Sequence, residues 1–386
     1  MLEDFARDFE AFSGNWWTYF IPFCVTVIGF IRVYAGGPYY QGKERMDGKL
    51  VIITGSSSGI GFETAKDLAS RGAHIIMAVR NAEKGKRALE KIKENYKKSQ
   101  VTVKLLDISE MDSIRNFVDQ IEVEYEKIDV LINNAAVIHQ PYTKTIDGNE
   151  LTIATNYLGP FFLTHLLLPM LNKSEHGRII NVSAMAHFNG KLKVEALNMN
   201  KDNYNEADAY SQSKLALTIF TKYLATLLNK NTTITCNAVS PGLVRGTAHL
   251  QNLPLLKSAW TRFSTWPWVW LCLKTPKQGC QTILHVALNS NLKKTSGFYF
   301  SDCDFKEPAE LLKDIHVAKA LYKTSCGLVK IDGDDIINKL GNETFFLADE
   351  RVEGLDENLK GLDKQVEGPG EKSEYLNEKD EYPNDF

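Results

Sequence analysis

From Lys49 onward the chain alternates short, nearly unbroken apolar runs with longer amphipathic stretches. "KLVIIT" (49–54) leads into glycines and the helical spacing of "GFETAKDLASRG"; "HIIMAVR" (74–80) leads into a charged helix ending about Lys98; "VTVKLLD" (101–107) precedes another helix, and "IDVLINNA" (128–135) follows it. Apolar runs of this length with no polar alternation read as strands buried on both faces. Strands separated by helices pair in parallel beneath helical layers. The pattern therefore predicts an α/β fold: a single doubly wound domain around a parallel sheet. No internal repeat is evident.

The two ends follow different patterns. Ala11 to Ile31 is a run of 21 residues without a charge, containing "WWTYFIPFCVTVIGFI", with tryptophans at one end and Arg32 and Tyr34 just past the other. That length can span a bilayer, with aromatics placed for its interfaces. The leader carries Glu3, Asp4, Asp8 and Glu10 instead of a basic segment, which argues against a cleaved signal peptide. Arg32, Lys43, Arg45 and Lys49 follow the run while only Arg7 precedes it, so residues 1–40 are expected to anchor the main domain on the cytosolic side. Pro22 keeps open an anchor that lies in the interface instead of crossing it. At the other end, residues 327–386 are expected to form an acidic, disordered tail, leaving 47–326 as the catalytic domain. Residues 331–386 hold 17 acidic and 6 basic side chains, a net −11 hidden within the overall −3. Large apolar side chains are too sparse there to offset ordering entropy, and "FFLA" (345–348) is the one apolar knot.

With 386 residues, 44% hydrophobic and 24% charged, the chain can bury a substantial core. Six widely spaced cysteines form no CxxC pair and no metal-ligand cluster, which suits reduced thiols and neither a zinc site nor a disulfide framework. No nucleic-acid partner is expected.

Candidate chemistry begins between the first strand and its helix. In "TGSSSGIG" (54–61), Gly55, Gly59 and Gly61 would allow a tight turn, close approach of backbone N–H groups to a pyrophosphate at the helix N-terminus, and close packing of helix on strand. At the end of the second strand, where an NAD enzyme usually offers a carboxylate to the ribose, stands Arg80. A guanidinium there suits a 2′-phosphate and favours NADP(H). In "AYSQSK" (209–214), Tyr210 and Lys214 lie about one helical turn apart, and an ammonium beside a phenol favours the phenolate.

"TGSSSGIG", "LDIS" (106–109), "NNAA" (133–136), Asn156 in "TNYLGPFFLTHLLLP", Ser183 in "GRIINVSAMAH", "AYSQSK" and "SPG" (240–242) occur in the order and spacing of the short-chain dehydrogenase/reductase family, over about Lys49 to Cys326. The "KTPKQGCQTILHVAL" and "GFYFSDC" segments, with the N-terminal anchor, resemble its membrane-bound retinol dehydrogenase subgroup. The resemblance implies a Rossmann-type domain that moves a hydride between NADP(H) and an alcohol or carbonyl. Tyr210 would be the general acid and base, and Lys214 would lower its pKa and bond the nicotinamide ribose. Ser183 would hydrogen-bond the substrate oxygen, and Asn156 would hold a water behind the lysine. Gly55, Ser57, Ser58, Gly59, Ile60, Gly61, Arg80, Asp107, Ile108, Asn134, Ala135, Pro241 and Gly242 would line the cofactor. Asp107 would contact the adenine, and as a carboxylate after a strand it also suits a helix cap. Two departures stand out: Ala136 replaces the usual glycine, and Thr247 falls one residue late, so no amide-binding role is carried to it.

Between Ser258 and Leu273, "SAWTRFSTWPWVWLCL" holds four tryptophans and a single charge. The resemblance makes it an aromatic lid over a lipophilic substrate, with a dimer surface or a membrane-dipping lid as alternatives. A retinoid, a steroid and a fatty aldehyde all remain open, as does a homodimer. The expected location is the endoplasmic reticulum membrane, with the mitochondrial membrane or a lipid droplet as alternatives. A different class of function, a membrane-anchored scaffold using its acidic tail, would have no need of a lysine beside the tyrosine.

Overall fold

The structure, a computed structural model, describes residues 16–229, 232–245 and 268–340. An N-terminal helix α1 (Trp17–Gly36) precedes β1 (Leu50–Thr54), α2 (Gly59–Ser70), β2 (His74–Val79), α3 (Ala82–Asn95), β3 (Val101–Leu105), α4 (Met111–Glu124) and β4 (Val130–Asn133). Then come the long helix α5 (Leu151–Asn172), β5 (Arg178–Val182), α6 (Glu206–Leu228), β6 (Thr235–Ser240), α7 (Gln281–Leu288), β7 (Tyr299–Ser301), β8 (Asp304–Phe305) and α8 (Ile315–Val329). The sheet order is β3-β2-β1-β4-β5-β6-β7-β8, parallel except for the last hairpin. Asp302 and Cys303 turn that hairpin with φ of 54° and 57°, the left-handed pair that matches strand twist in a two-residue turn.

Burial on both faces explains the apolar runs. Ile52, Ile76 and Leu131 face one layer with α4, α5, α6 and α8, whereas Val51, Ile53, Ile75 and Met77 face the other with α2 and α7. The crossing from β1 outward to β3 and from β4 outward to β6 places the switch point between β1 and β4. Ligands bind at the carboxyl ends of strands on either side of such a point. The doubly wound expectation is met.

Helix α1 is 20 residues long and its apolar side chains face outward, Gly36 at its end being its one buried residue. At 1.5 Å per residue that is about 30 Å, the thickness of a bilayer core. Helix α5 is also long and apolar enough to cross a membrane, but it is 89% buried inside the domain, so its apolarity serves the core. The expected span began at Ala11; residues 1–15 lie outside the described residues.

The C-terminal boundary needs correction. Residues 327–340 belong to the folded domain: α8 continues through Val329, and residues 333–340 form a further helix whose Ile337 and Leu340 are buried in the α5/α6 layer. Acidic composition hid two apolar positions spaced three apart, which suffice to dock a short helix. Residues 341–386, including "FFLA", lie outside the described residues.

Candidate active site

The glycine turn is built by the ends of β1 and β4. Thr54 Oγ1 accepts the backbone N–H groups of Asn134 and Ala135, both at 2.9 Å, and Asn134 Nδ2 donates to the carbonyls of Thr54 and Gly55. Gly55 (φ 65°) passes so close to β4 that a Cβ there would meet Ala135 Cα at 2.8 Å. Gly61 is the tightest of the three glycines, since a Cβ would strike Asn134 Nδ2 at 2.5 Å and Gly55 O at 2.7 Å. Gly59 differs: its φ is 61°, and a Cβ would meet nothing within 4 Å, so the space above the helix start is open. Ser58 precedes α2 with no side-chain cap bond, and Ser57 and Ile60 are partly exposed beside it. Ser56 Oγ is buried without a partner. An open glycine, a free helix N-terminus and an orphaned hydroxyl fit a pyrophosphate, and sequence reasoning had passed over Ser56.

Arg80 and Asp107 meet across the next two strand ends, Arg80 Nε lying 3.9 Å from Asp107 Oδ2. Asp107 Oδ1 accepts from Ser109 N and Oγ, fixing the turn ahead of α4; the cap position of that helix is Glu110, so Asp107 shapes the turn and does not cap the helix. Ile108 is buried, and its carbonyl would be 2.0 Å from a Cβ at Gly159, which is how α5 seats against this loop. Its side chain therefore belongs to the core, leaving only backbone for a ligand. Pro241 and Gly242 (φ 75°) follow β6, the strand neighbouring β5. Ala136 has a φ outside the left-handed region, so alanine is accommodated there. Thr247 lies outside the described residues, as does 258–267 of the aromatic segment; Trp268 and Trp270 of its remainder are exposed.

Asn205 opens α6 by capping Ala207 N and Asp208 N, and thereby sets the turn that carries Tyr210 and Lys214. Both are buried. Lys214 Nζ donates to Val182 O at 2.8 Å and lies 6.0 Å from the centre of the Tyr210 ring. Burial pushes the lysine down to about 7 and the tyrosine above its ordinary value. Burial of both groups disfavours their charged forms, so in the chain on its own the attraction of the lysine is set against desolvation of the phenol. What the chain presents is a protonated phenol beside a lysine that titrates near neutrality.

Ser183 and Asn156 are also bonded within the protein. Ser183 Oγ turns into α6, at 2.7 Å from Thr218 Oγ1 and 3.4 Å from Lys214 O. In that rotamer it serves the α6 packing, because a buried hydroxyl takes the nearest partner. Asn156 lies in a π-helical turn (Ala154–Leu158) of α5, a widening often found at functional sites. Its Oδ1 accepts Val137 N at 2.8 Å, and its Nδ2 donates to Val137 O and Ser213 Oγ. Both amide protons are engaged by protein groups, so the side chain clamps the loop after β4. A buried ladder behind it went unread in the sequence: Asn133 Nδ2 donates to Asn181 Oδ1, and Asn181 Nδ2 to Thr221 Oγ1, tying β4 to β5 and α6.

A family model for short chain dehydrogenase matches residues 49–255, more than half of the chain. The chain belongs to the short-chain dehydrogenase family. Retinol dehydrogenase 12 of Bos taurus is 41% identical over 81% of this chain and 96% of its own length, and retinol dehydrogenase 13 of Mus musculus is 38% identical over 79% and 91%. Within the short-chain dehydrogenases it is thus retinol dehydrogenase-like, and an oxidoreductase. A solved, uncharacterised protein of Mycobacterium paratuberculosis is 32% identical with a TM-score of 0.62, covering 77% of this chain and 98% of that one. A short-chain dehydrogenase of Shigella flexneri solved with NADP shares the fold at 22% identity and TM-score 0.52, covering 68% and 100%.

Proposed function

We propose that this short-chain dehydrogenase is a membrane-anchored, NADP(H)-dependent reductase of lipophilic aldehydes or ketones. The observation that carries the reading is the buried Tyr210–Lys214 pair at the carboxyl edge of the sheet, with the phenol held protonated. A reduced nicotinamide, when bound, supplies hydride. Tyr210 gives its hydroxyl proton to the carbonyl oxygen as that oxygen becomes an alkoxide, and the burial that raises the phenol's pKa keeps it loaded for this step. Lys214, titrating near 7, can balance the charge of the phenolate by taking up a proton from solvent, which then restores the phenol. In the reverse direction the same phenolate would accept a proton from an alcohol.

Gly55, Ser56, Ser57, Ser58, Gly59, Ile60 and Gly61 would hold the pyrophosphate, Asn134 and Ala135 would shape the wall behind it, and Pro241 and Gly242 would lie by the nicotinamide end. Arg80 supports the choice of NADP(H), and Asp107 with the Ile108 backbone would bound the adenine. The relatives' names make a retinoid the first substrate to try, ahead of a steroid or a fatty aldehyde. Helix α1 would place the domain at a membrane, in the endoplasmic reticulum with the domain facing the cytosol. The basic residues after α1 and the free cysteines support that side.

The test is NADPH oxidation by the full-length protein in detergent micelles with retinal, a ketosteroid and a long-chain aldehyde. Turnover with at least one is expected, and Tyr210→Phe should lose roughly 10²–10⁴-fold in kcat while NADPH binding, followed by calorimetry, stays intact. No oxidation with any of the three, or turnover retained by the folded phenylalanine variant, would overturn the reading.

A further inference from the structure

Helix α1 is tied to the domain through its one charged side chain. Arg32 stands four residues before the end of the helix, and its guanidinium turns back onto the chain between β6 and α7. Nη1 donates to Leu273 O and Nη2 to Gln278 Oε1, both at 3.0 Å, and the group lies over the Trp270 ring, 5.8 Å from its centre. Leu273 follows the helical turn of residues 268–272, so the cation meets a carbonyl at the end of that turn. A Cβ at Gly37 would meet Lys274 Nζ at 2.8 Å, and Tyr40 N donates to Gln281 Oε1 at 3.0 Å, so the chain leaving the helix stays seated on the domain.

The turn that Arg32 holds also abuts the candidate active site. Lys274 N donates to Leu243 O at 2.9 Å and Arg245 N to Lys274 O at 2.8 Å, and Leu243 directly follows Pro241 and Gly242 at the carboxyl end of β6. Leu243, Trp268 and Trp270 are 54%, 67% and 42% exposed, and in the last turns of α1 Phe30, Val33 and Tyr34 are exposed as well. Indoles favour the zone between lipid chains and water, where the ring is apolar and the N–H is wet. A guanidinium in an apolar helix is costly in lipid unless it brings partners, and those of Arg32 are two neutral oxygens and a ring of the domain itself. The rise from Arg32 to Gly36 is about 6 Å, close to the depth of one headgroup zone. A bilayer around α1 therefore reaches the turn that carries Trp268 and Trp270.

We propose that Leu243, Trp268 and Trp270 form a second membrane contact, seated among lipid headgroups by Arg32, with the carboxyl end of β6 facing the bilayer. This contact rests on the reading of α1 as a membrane anchor. It gives a lipophilic carbonyl dissolved in the bilayer a route to the active site that avoids bulk water. A second copy of the chain is the other occupant such a face could take, and continuity with α1 favours lipid.

The experiment uses full-length protein in phosphatidylcholine vesicles, with Trp16, Trp17, Trp260 and Trp266 replaced by phenylalanine so that only Trp268 and Trp270 emit. Lipids brominated near the headgroup end of the chain should quench that emission about twofold more than lipids brominated at the middle of the chain. Arg32→Met, which keeps an apolar stem and loses the guanidinium, should halve the quenching while calorimetric NADPH binding is unchanged. Unquenched emission from protein that floats with the vesicles would overturn the second contact and leave the anchor standing, whether water or a second copy covers the face. Equal quenching in folded Arg32→Met would overturn the role given to Arg32. Protein that does not float with the vesicles would overturn both the anchor and the contact.

Discussion

Cofactor preference should turn on Arg80, and the structure bounds how strongly. The side chain follows β2, is 70% exposed, and has Asp107 as a partner at 3.9 Å. An exposed ion pair at that separation is worth only about 0–1 kcal/mol, so the guanidinium can be drawn from it cheaply. A charge-assisted contact to a 2′-phosphate contributes about 1.5–3 kcal/mol. The difference, roughly 0.5–3 kcal/mol, is about 2- to 150-fold in affinity for NADPH over NADH. Arg80→Ala should erase most of that ratio. Arg80→Asp should go further and invert it, because a carboxylate repels the phosphate and offers the ribose hydroxyl of NADH an acceptor. It also sets a like charge beside Asp107, so affinity for both cofactors should fall somewhat. The assay is calorimetric titration of the full-length protein with each cofactor, which reads binding without catalysis. Raising the salt should shrink the native preference, since the contact is exposed. Lys84, whose backbone N–H is capped by Asn81 at the start of α3, stands nearby in sequence; the Arg80→Ala/Lys84→Ala double variant separates its share. An unchanged ratio in Arg80→Ala and Arg80→Asp would refute the role given to Arg80, and a native preference for NADH would refute the cofactor assignment itself.

Lys214, held at about 7 by burial against 10.5 for a free lysine, makes the cofactor-free protein pH-sensitive. Between those values the unfolded chain carries a proton that the folded chain has released, so stability should rise with pH there, by up to about 1.4 kcal/mol per unit. Lys214→Met should flatten the rise in a denaturant titration series, whereas an identical slope would show that Lys214 stays charged. His165, buried and drawn down to about 4, also raises stability with pH, but below the lysine's window. At the C-terminus, Ile337→Ala should cost about 2–5 kcal/mol, while Lys339→Ala on the exposed side of the same helix should stay within about 0.5 kcal/mol. Near-UV circular dichroism melts decide this, and equal midpoints would mean that the 333–340 helix does not hold to the core.

Much of this protein was legible in the chain because the signals are local. Strands buried on both faces must be apolar throughout, so the order of β1 to β4 and their helices could be read directly, and with it the place of the glycine turn. The spacing of Tyr210 and Lys214 follows from one helical turn, and α1 declares itself by 20 residues that find no cover in the domain. The two helix positions that dock 333–340 were missed because a compositional average over an acidic tail outweighs Ile337 and Leu340. What only the tertiary structure decided concerns partners and protons. Tyr210 and Lys214 lie four residues apart, yet their protonation also depends on burial by elements far off in sequence, which opposes the attraction the pair would have in water. Ser183 turns to Thr218, 35 residues away, and Asn156 to Val137 and Ser213, choices that no spacing encodes. Periodicity fixes which residues face the core, but hydrogen-bond partners and pKa values are set by what folding brings within about 3 Å and by the water it removes.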